Sequence, residues 1–442
     1  MMRALMVVWL ALCVLAVAAG AQTPPPAVLM ISIDGLRADY VTRADQHGLK
    51  IPALRRFVTE GAYAEGVQGV IPTVTYPSHT TLITGVWPAK HGIFANTIFE
   101  PLRTGPANWY WYADDIRAPT LWDSAARAGW TTASIQWPAS VGARVTWNIP
   151  EYWRGNAAED TKLQRAVSTP GLLAELEADL GPYPRGMEAE DDEVRGRFAV
   201  RVLEKKRPAL LTLHLLALDH VQHETAPFSA ETFAALERLD AVVAKLRESA
   251  ERLVPGRAFV AIVSDHGFAR INSQLNLFTA LREAGLFSVD RGTITDWSAL
   301  PWVSGGSAAI MLKNPDDTAV RAKVREVLDR LAADSANGID RILDADALRT
   351  RGGVPTAAFV VGLKPGWRMS TTPRGPLLSK SQGGTHGHLP DVPDLYASFF
   401  LVGPGVPVGR ALGVIDMRDI APTLARRVGL TLPSADGKIL LP

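Results

Sequence analysis

Runs of consecutive apolar residues recur along the chain, which is typical of strands buried on both faces of a parallel sheet. The predicted strands are residues 27–33, 131–136, 209–216, 258–263 and 396–402. Segments with helical periodicity separate them, and the clearest are residues 120–128, 192–204 and 230–253. Strands that alternate with helices predict an α/β fold with a doubly wound, mostly parallel sheet flanked by helices.

Residues 295–375 fit this alternation poorly. They contain a predicted strand at 307–312, an amphipathic helix at 318–333 and a second strand at 356–363. We therefore expect a small inserted α+β cap subdomain at 295–375, between two parts of an α/β catalytic core at 22–294 and 376–442. An aromatic cluster at 109–112 also interrupts the alternation, and we expect it in a loop.

The N-terminus has the features of a secretory signal peptide over residues 1–21. A basic start precedes an apolar run at 4–19, and small residues provide a cleavage motif that ends at Ala21. Cleavage there predicts a periplasmic or secreted protein without a stable membrane anchor. An uncleaved anchor is the alternative, although the run is short for a membrane span. The one cysteine, Cys13, lies in this segment, so metal ligands in the mature chain must be nitrogen or oxygen.

The composition of the 442-residue chain is that of a globular protein with a large core, because 47% of the residues are hydrophobic and 21% are charged. The formal net charge of +1 gives no reason to expect nucleic-acid binding through bulk charge. No protein partner is predicted from the sequence.

Acidic and imidazole side chains follow the apolar runs. They are Asp34, Asp219, His223, Asp265, His266 and His386. Each alone could be an ordinary turn or loop residue, and His388 is a further histidine beside the last of them. The carboxyl ends of parallel strands, however, meet at one crevice of a doubly wound sheet. Three aspartates and three imidazoles that gather there predict a site for two metal ions, of the kind used in metal-assisted hydrolysis.

Thr75 precedes a short predicted helix at 78–84, and Pro77 is a favoured first-turn residue. A hydroxyl at this position can lie beside unpaired helix amides, which suit a phosphate oxyanion, or it can simply cap the helix. Metal ligation would lower the pKa of the Thr75 hydroxyl and make it a nucleophile.

Taken in order, these segments resemble the nucleotide pyrophosphatase/phosphodiesterase family of the alkaline phosphatase superfamily. The resemblance runs from about residue 26 to residue 430, and the absence of cysteine from the mature chain is similar to the compact bacterial secreted members. The matching segments are Asp34-Gly, Pro72-Thr-Val-Thr75-Tyr-Pro-Ser-His79, Thr84-Gly-Val-Trp-Pro-Ala-Lys-His91-Gly-Ile, Trp137-Pro-Ala-Ser140, Asp219-x-x-x-His223, Asp265-His266-Gly and Thr385-His386-Gly.

The resemblance implies two zinc ions and a nucleophilic threonine, Thr75, that forms a covalent phospho-threonine intermediate. Other divalent metals would also suit the donor atoms. The ligands implied for the first ion are Asp34, Thr75, Asp265 and His266. Those implied for the second ion are Asp219, His223 and His386.

The resemblance also implies substrate contacts. Tyr76 would lie against a nucleobase, with Tyr152 or Trp153 on its opposite face. Ser78 stands where the family usually has an asparagine that holds a phosphate oxygen, and His388 could compete with His386 as the ligand.

The expected function is therefore secreted, metal-dependent hydrolysis of phosphodiester or pyrophosphate bonds in small nucleotide-type substrates. One alternative is a phosphomonoesterase, or a phospholipid-headgroup or phosphonate hydrolase, on the same metal pair. A non-catalytic metal-binding relative is another. Tyr76 and the 109–112 cluster favour a diester with a flat group, whereas a monoesterase would need additional positive charge for the second oxyanion charge.

Overall fold

The computed structural model describes residues 25–103, 105–155 and 157–441, so the predicted signal peptide at 1–21 lies outside the described residues. Its strands, in chain order, are β1 Ala27–Ile33, β2 Ala62–Tyr63, β3 Gly66–Gln68, β4 Thr132–Ile135, β5 Trp147–Ile149, β6 Leu210–Leu215, β7 Ala258–Val263, β8 Ala269–Leu275, β9 Phe287–Asp290, β10 Thr293–Trp297, β11 Ala299–Ser304, β12 Ser307–Leu312, β13 Ile339–Asp344, β14 Ala357–Leu363, β15 Gly366–Met369, β16 Leu378–Lys380, β17 Gly384–Thr385, β18 Phe399–Val402, β19 Arg410–Ala411 and β20 Val414–Asp416.

The α-helices carry most of the remaining regular structure. In chain order they are α1 Ala38–Thr42, α2 Ala44–His47, α3 Pro52–Glu60, α4 Thr75–Thr84, α5 Pro88–His91, α6 Leu121–Arg127, α7 Ala157–Val167, α8 Leu172–Leu180, α9 Ala189–Lys206, α10 Ala217–Thr225, α11 Ala230–Leu253, α12 Leu277–Glu283, α13 Thr318–Ala333, α14 Ala345–Thr350 and α15 Ile420–Arg427. No helix among the described residues is both long enough and apolar enough to cross a bilayer.

The main sheet has eight strands in the order β19-β2-β18-β7-β1-β6-β4-β5. The five strands from β7 to β5 are parallel to one another, and β18 is antiparallel to β7. The predicted mostly parallel α/β sheet is therefore confirmed. The strand expected at 396–402 is present as β18, at the shorter bounds Phe399–Val402.

Both faces of this sheet are covered. Leu29 and Ile31 of β1 pack into one core, which includes residues of α9 and α11. The alternate residues Val28 and Met30 pack into a second core with residues of α6 and α15. Side chains of successive strand residues point to opposite faces, so a strand apolar at every position must be buried on both. Because helices cover both faces of the sheet, its open crevice lies at the ends of the strands.

The stretch at 295–375 contains an antiparallel sheet of order β11-β12-β14-β13. Helix α13 packs on it through Val324 and Leu328, which share a separate core with Ile310 and Phe359. The strand and helix expected at 307–312 and 318–333 lie at those bounds. Residues of this antiparallel sheet thus form a core of their own, while the division of the chain into a catalytic core at 22–294 and 376–442 and a cap at 295–375 stays a prediction.

Candidate active site

The three aspartates expected in the site lie at the carboxyl ends of three neighbouring strands. Strand β1 lies between β6 and β7. Asp34 follows β1 directly, and its N–H donates to the carbonyl of Leu215 at the end of β6 over 2.9 Å. Asp265 lies just beyond β7, where its Oδ1 accepts from the N–H of Gly35 over 3.1 Å. Asp219 lies in the first turn of α10, which follows β6. The sheet order therefore gathers these carboxylates in one crevice.

Asp34, Asp265 and His266 form the first of two compact groups. One ligand atom of each lies within 4.8 Å of the others, and all three residues are buried. His266 Nε2 lies 3.4 Å from Asp34 Oδ1 and 3.1 Å from Asp265 Oδ2. None of these three atoms has a hydrogen-bond partner among the described residues. Buried polar atoms without partners are costly, and a divalent cation between them would satisfy all three. The donor set fits a metal ion.

Asp219, His266 and His386 form the second group, again with one ligand atom of each within 4.8 Å of the others. His223 lies beside them on α10, four residues after Asp219, and its Nε2 is 3.4 Å from Asp219 Oδ2. His386 Nε2 is 3.6 Å from Asp219 Oδ1, an atom with no hydrogen-bond partner among the described residues. The spacing of four residues thus places Asp219 and His223 on one face of α10. His266 is a member of both groups and lies between them.

Three imidazoles of the site are oriented in the same way. The Nδ1 atoms of His223, His266 and His386 each lie 3.1 to 3.2 Å from a backbone carbonyl, those of Gly384, Gly267 and Thr73 respectively. An imidazole that donates from Nδ1 presents Nε2 as a lone-pair donor, which is the form that ligates a metal. The backbone therefore fixes both the tautomer and the direction of these rings.

The ionisable side chains of the site shift one another's pKa values. Burial raises the pKa of the Asp34 carboxyl well above its usual value, and the nearby Asp265 and Asp219 carboxylates raise it further. Burial likewise lowers the pKa of His386, with added repulsion from His266, which stacks on it at 3.7 Å, and from His223. Crowded carboxylates and the neutral His386 imidazole suit divalent cations, because bound cations favour the ionised carboxylate and the neutral imidazole.

The His386 segment is held by the turn between β11 and β12. The N–H of Gly306 donates to the His386 carbonyl over 2.8 Å. A Cβ on Gly305 would lie 2.1 Å from that carbonyl oxygen, and a Cβ on Gly387 would lie 1.9 Å from the Ser304 oxygen. Both glycines have positive φ, +61° and +87°. The backbone of the turn and the backbone of the His386 segment are thus in contact, at a distance that only glycine permits.

Thr75 opens helix α4, earlier than the helix start expected near Pro77. The residue before it, Val74, occupies the N-cap position, and no side chain caps the helix, so the capping interpretation of the Thr75 hydroxyl is wrong. Every later residue of α4, from Tyr76 to Thr84, is buried, whereas Thr75 is partly exposed. Thr75 is therefore the one residue of this helix that keeps accessible surface.

Hydrogen bonds on both sides fix the position of Thr75. The carbonyl oxygen of Thr73 lies within hydrogen-bond distance of His386 Nδ1, and the carbonyl oxygen of Thr75 lies 2.9 Å from His79 Nδ1. The N–H of Tyr76 donates to Asn96 Oδ1 over 2.9 Å. The start of α4 is thus tied directly to the metal-ligating segment that contains His386.

The expected substrate residues Tyr76 and Ser78 are fully buried. The Tyr76 hydroxyl donates to Glu151 Oε1 over 3.1 Å, and its ring packs edge-on against Trp109 at 5.3 Å. Ser78 Oγ has no hydrogen-bond partner among the described residues. Substrate contact by either residue stays a prediction, and in this structure Tyr76 belongs to the aromatic cluster rather than to an open surface.

His388 lies apart from both groups of ligand atoms. It is buried, and its Nε2 lies 3.0 Å from the Trp367 carbonyl. Burial lowers the pKa of His388 to about 4, so the ring is neutral at physiological pH. Of the two histidines that compete for the ligand position, the structure brings His386 and not His388 to Asp219.

One buried residue of the site, His214, was not expected from the sequence. It lies inside β6, where its Nε2 is 3.0 Å from Asp34 Oδ2 and its Nδ1 is 3.3 Å from Glu151 Oε2. Burial alone would lower the pKa of His214, but hydrogen bonds to Asp34 and Glu151 raise it to about 10. The signal in the sequence was a single imidazole inside an otherwise apolar run at 209–216.

A cavity of about 250 Å³ adjoins the second group of ligands. His223 and His386 line it on one side, and Asn96, Arg368 and Gly305 line it elsewhere. Asn96 and Arg368 were also missed, because neither follows a predicted strand or belongs to a recognisable motif. The cavity is large enough for a phosphoryl group and part of its substituents.

An α/β sheet with aspartates and histidines gathered at its strand ends defines a metal-dependent hydrolase class. A family model described as type I phosphodiesterase / nucleotide pyrophosphatase matches residues 28–389, so the chain belongs to this family. The family expected from the sequence motifs is thereby confirmed.

Individual relatives match the chain over part of their length. The human ectonucleotide pyrophosphatase/phosphodiesterase family member 1 is 26% identical over 258 residues, which cover 56% of this chain and 24% of that protein. The venom phosphodiesterase of Macrovipera lebetinus is 24% identical over 266 residues, or 55% of this chain and 26% of that protein. The chain therefore matches about a quarter of the length of these relatives.

Solved structures show the same fold over nearly the whole chain. Human ectonucleotide pyrophosphatase/phosphodiesterase 5 superposes with a TM-score of 0.67 at 19% identity, covering 94% of this chain and 98% of that chain. An inactive form of the murine protein in complex with AMP gives the same TM-score, identity and coverage. These likenesses establish the architecture.

Proposed function

We propose that this chain hydrolyses phosphodiester or pyrophosphate bonds of small nucleotide-type substrates. Its family membership supports this class of reaction. The structural observation that carries the proposal is the gathering of unpaired aspartate and histidine atoms around His386, whose Nδ1 lies 3.1 Å from the Thr73 carbonyl, two residues before the partly exposed Thr75. A site of this kind combines a hydroxyl nucleophile with the charge compensation that phosphoryl transfer needs.

The proposed site holds two divalent cations. Bound there, the cations would lower the pKa of the nucleophile and stabilise the attacking and leaving oxygens. Nitrogen and oxygen donors suit zinc, and manganese or iron would also fit them. We assign the first ion to Asp34, Thr75, Asp265 and His266. We assign the second ion to Asp219, His223 and His386.

Thr75 would act as the nucleophile. Its Oγ forms a bond to phosphorus while the bond from phosphorus to the departing ester or anhydride oxygen breaks, and that oxygen takes up a proton. Water then cleaves the Oγ–phosphorus bond and restores the hydroxyl. Asn96 would assist, because its Oδ1 already accepts from the Tyr76 N–H and its amide nitrogen stays available to donate to a phosphoryl oxygen.

Replacement of the nucleophile tests this proposal. Thr75→Ala should lower kcat for bis(4-nitrophenyl) phosphate by at least about a thousandfold, since no other hydroxyl can form the covalent intermediate. Thr75→Ser should retain part of the activity. Steady-state kinetics with metal content measured in parallel would separate loss of the nucleophile from loss of the ions.

Thr84→Ala is the matched control. This threonine lies at the other end of α4, where its hydroxyl donates to the Thr80 carbonyl over 2.7 Å. Its replacement should leave kcat within about twofold. Full activity of Thr75→Ala would contradict the covalent mechanism, and a tenfold preference of the wild type for 4-nitrophenyl phosphate would favour the phosphomonoesterase alternative.

We also propose that the protein is exported to the periplasm or secreted, on the strength of the signal-like pattern at residues 1–21. Mass spectrometry of the protein from its native host should then find a mature chain that begins at Gln22. Retention of residues 1–21 would instead support the uncleaved anchor.

A further inference from the structure

Arg368 is a half-buried cation with no acidic partner. Its guanidinium forms no ion pair within residues 25–103, 105–155 and 157–441, and its Nε is buried without a hydrogen-bond partner. Partial burial lowers the pKa of Arg368, and no neighbouring carboxylate offsets that effect. An arginine remains protonated under such conditions because its ordinary pKa lies far above physiological pH. A positive charge is therefore held in the wall of the cavity beside His223 and His386.

Two other arginines of this stretch are paired with carboxylates. Arg341 forms two hydrogen bonds with Asp391, at 2.7 and 2.6 Å, and Arg325 pairs with Asp329 at 2.8 Å. Withdrawing an uncompensated charge from water costs more free energy than withdrawing a paired one. The lack of a protein partner for Arg368, in a cavity wall, indicates that its partner is a ligand.

The backbone holds Arg368 in place. It lies in β15, opposite Gln274 of the parallel strand β8. The N–H of the next residue, Met369, donates to the carbonyl of Gly305 over 2.8 Å, and Gly305 lines the same cavity. The backbone of β15 is therefore attached to the same turn that holds the His386 segment, which keeps Arg368 near the candidate metal ligands.

We propose that Arg368 binds a second phosphoryl oxyanion charge of the substrate, beyond the single charge of a phosphodiester. This inference rests on the proposed function. A guanidinium matches phosphate oxygens in bidentate geometry, and the hydrogen bonds are charge-assisted. Two substrates carry that chemistry: a nucleoside polyphosphate has further phosphate groups, and a phosphomonoester has a second charge on the reacting phosphorus. Arg368 would thus determine which phosphate compounds the site accepts.

Kinetics with three substrates would test this role. Arg368→Met keeps most of the unbranched stem of the side chain and removes its charge. It should lower kcat/KM at least about tenfold for a nucleoside triphosphate, for 4-nitrophenyl phosphate or for both, mainly through KM. Bis(4-nitrophenyl) phosphate, which has one charge, should change less than about twofold. Arg368→Lys should lie between, because a lysine keeps the charge but loses the bidentate contact.

The two sources of the second charge give different patterns. Loss confined to the triphosphate would assign Arg368 to a further phosphate group, and loss confined to the monoester would assign it to the reacting phosphorus. Arg330→Met is the matched control, since it removes the same charge from an exposed position of α13 and should change no ratio. Equal loss for all three substrates, or loss for none, would overturn the proposal.

A binding measurement keeps this inference separate from catalysis. In the metal-loaded Thr75→Ala protein, calorimetry should show a nucleoside triphosphate or AMP binding at least about tenfold more weakly once Arg368 is also changed to Met. Metal content should be the same in both proteins. If the wild type hydrolyses none of the three substrates, the proposed function fails, while unchanged affinity for both nucleotides would by itself refute the role of Arg368.

Discussion

At the scale of single residues, His214 links the candidate metal centre to the start of α4. It lies within hydrogen-bond distance of Asp34 Oδ2 through Nε2, which leaves Asp34 Oδ1 for a cation. Its other nitrogen faces Glu151, and the second oxygen of Glu151 accepts from the Tyr76 hydroxyl. Since Tyr76 follows Thr75, this chain of contacts joins the candidate metal ligand Asp34 to the neighbour of the proposed nucleophile. Such outer contacts fix the orientation of a ligand and tune its affinity.

His214→Gln should therefore weaken metal binding by about 10- to 100-fold, because Asp34 would lose its charged partner. Competition with a chromogenic chelator would measure the affinity. His47→Gln is the control, since His47 lies in α2 against Phe228 and should leave metal affinity unchanged. A His214 variant with wild-type metal affinity and a wild-type fold would show that the contact does not position Asp34.

The three candidate aspartates, Asp34, Asp219 and Asp265, could be predicted from the sequence because each follows an apolar run, and strand ends are where a parallel sheet leaves polar side chains accessible. His214 and Arg368 could not. Both residues lie within strands. There the direction of the side chain, and not the residue type, determines which groups the side chain contacts. Asn96 is in a loop whose path depends on the finished fold.

At the scale of elements, the turn between β11 and β12 supports a metal ligand from outside the main sheet. Gly305 at this turn lies against the carbonyl of His386. Gly305→Ala would add a Cβ at 2.1 Å from that oxygen, so the turn or the His386 segment must shift. We expect a loss of about 2–4 kcal/mol in the free energy of unfolding, from left-handed strain and the clash together.

Gly409→Ala separates the two causes of that loss. Gly409 has nearly the same φ, +64°, and nothing lies within 4 Å of its added Cβ. This variant should lose only about 1 kcal/mol. Urea unfolding of both variants at equal metal content would give the comparison. Equal losses would mean that the close contact at His386 has no energetic effect.

The hydrophobic patterns predicted the strands and helices, with two informative exceptions. The run at 396–402 correctly indicated a buried strand, but its antiparallel direction depends on the connection that leads into it, which the residues do not specify. Helix α4 begins at Thr75, before the start expected near Pro77, and at that end the Tyr76 N–H donates to Asn96 Oδ1, a residue twenty positions further along the chain. Distant contacts, absent from any local pattern, set that boundary.

At the scale of the whole molecule, the main sheet and the 295–375 stretch meet at the site. The main sheet supplies Asp34, Asp219 and Asp265 from its strand ends, and the turn of the antiparallel sheet holds the His386 segment. Arg368 faces the same cavity from β15. In a crevice between two hydrophobic cores, residues that select the substrate can lie on one side, and residues that carry out the reaction can lie on the other.

The central claim is that two divalent cations lie between these aspartates and histidines. Anomalous diffraction from crystals of the protein purified without chelator tests it most directly. Two peaks per chain are predicted, one bordered by Asp34, Asp265 and His266, and the other by Asp219, His223 and His386. A single peak, or metal bound only elsewhere on the chain, would contradict the account.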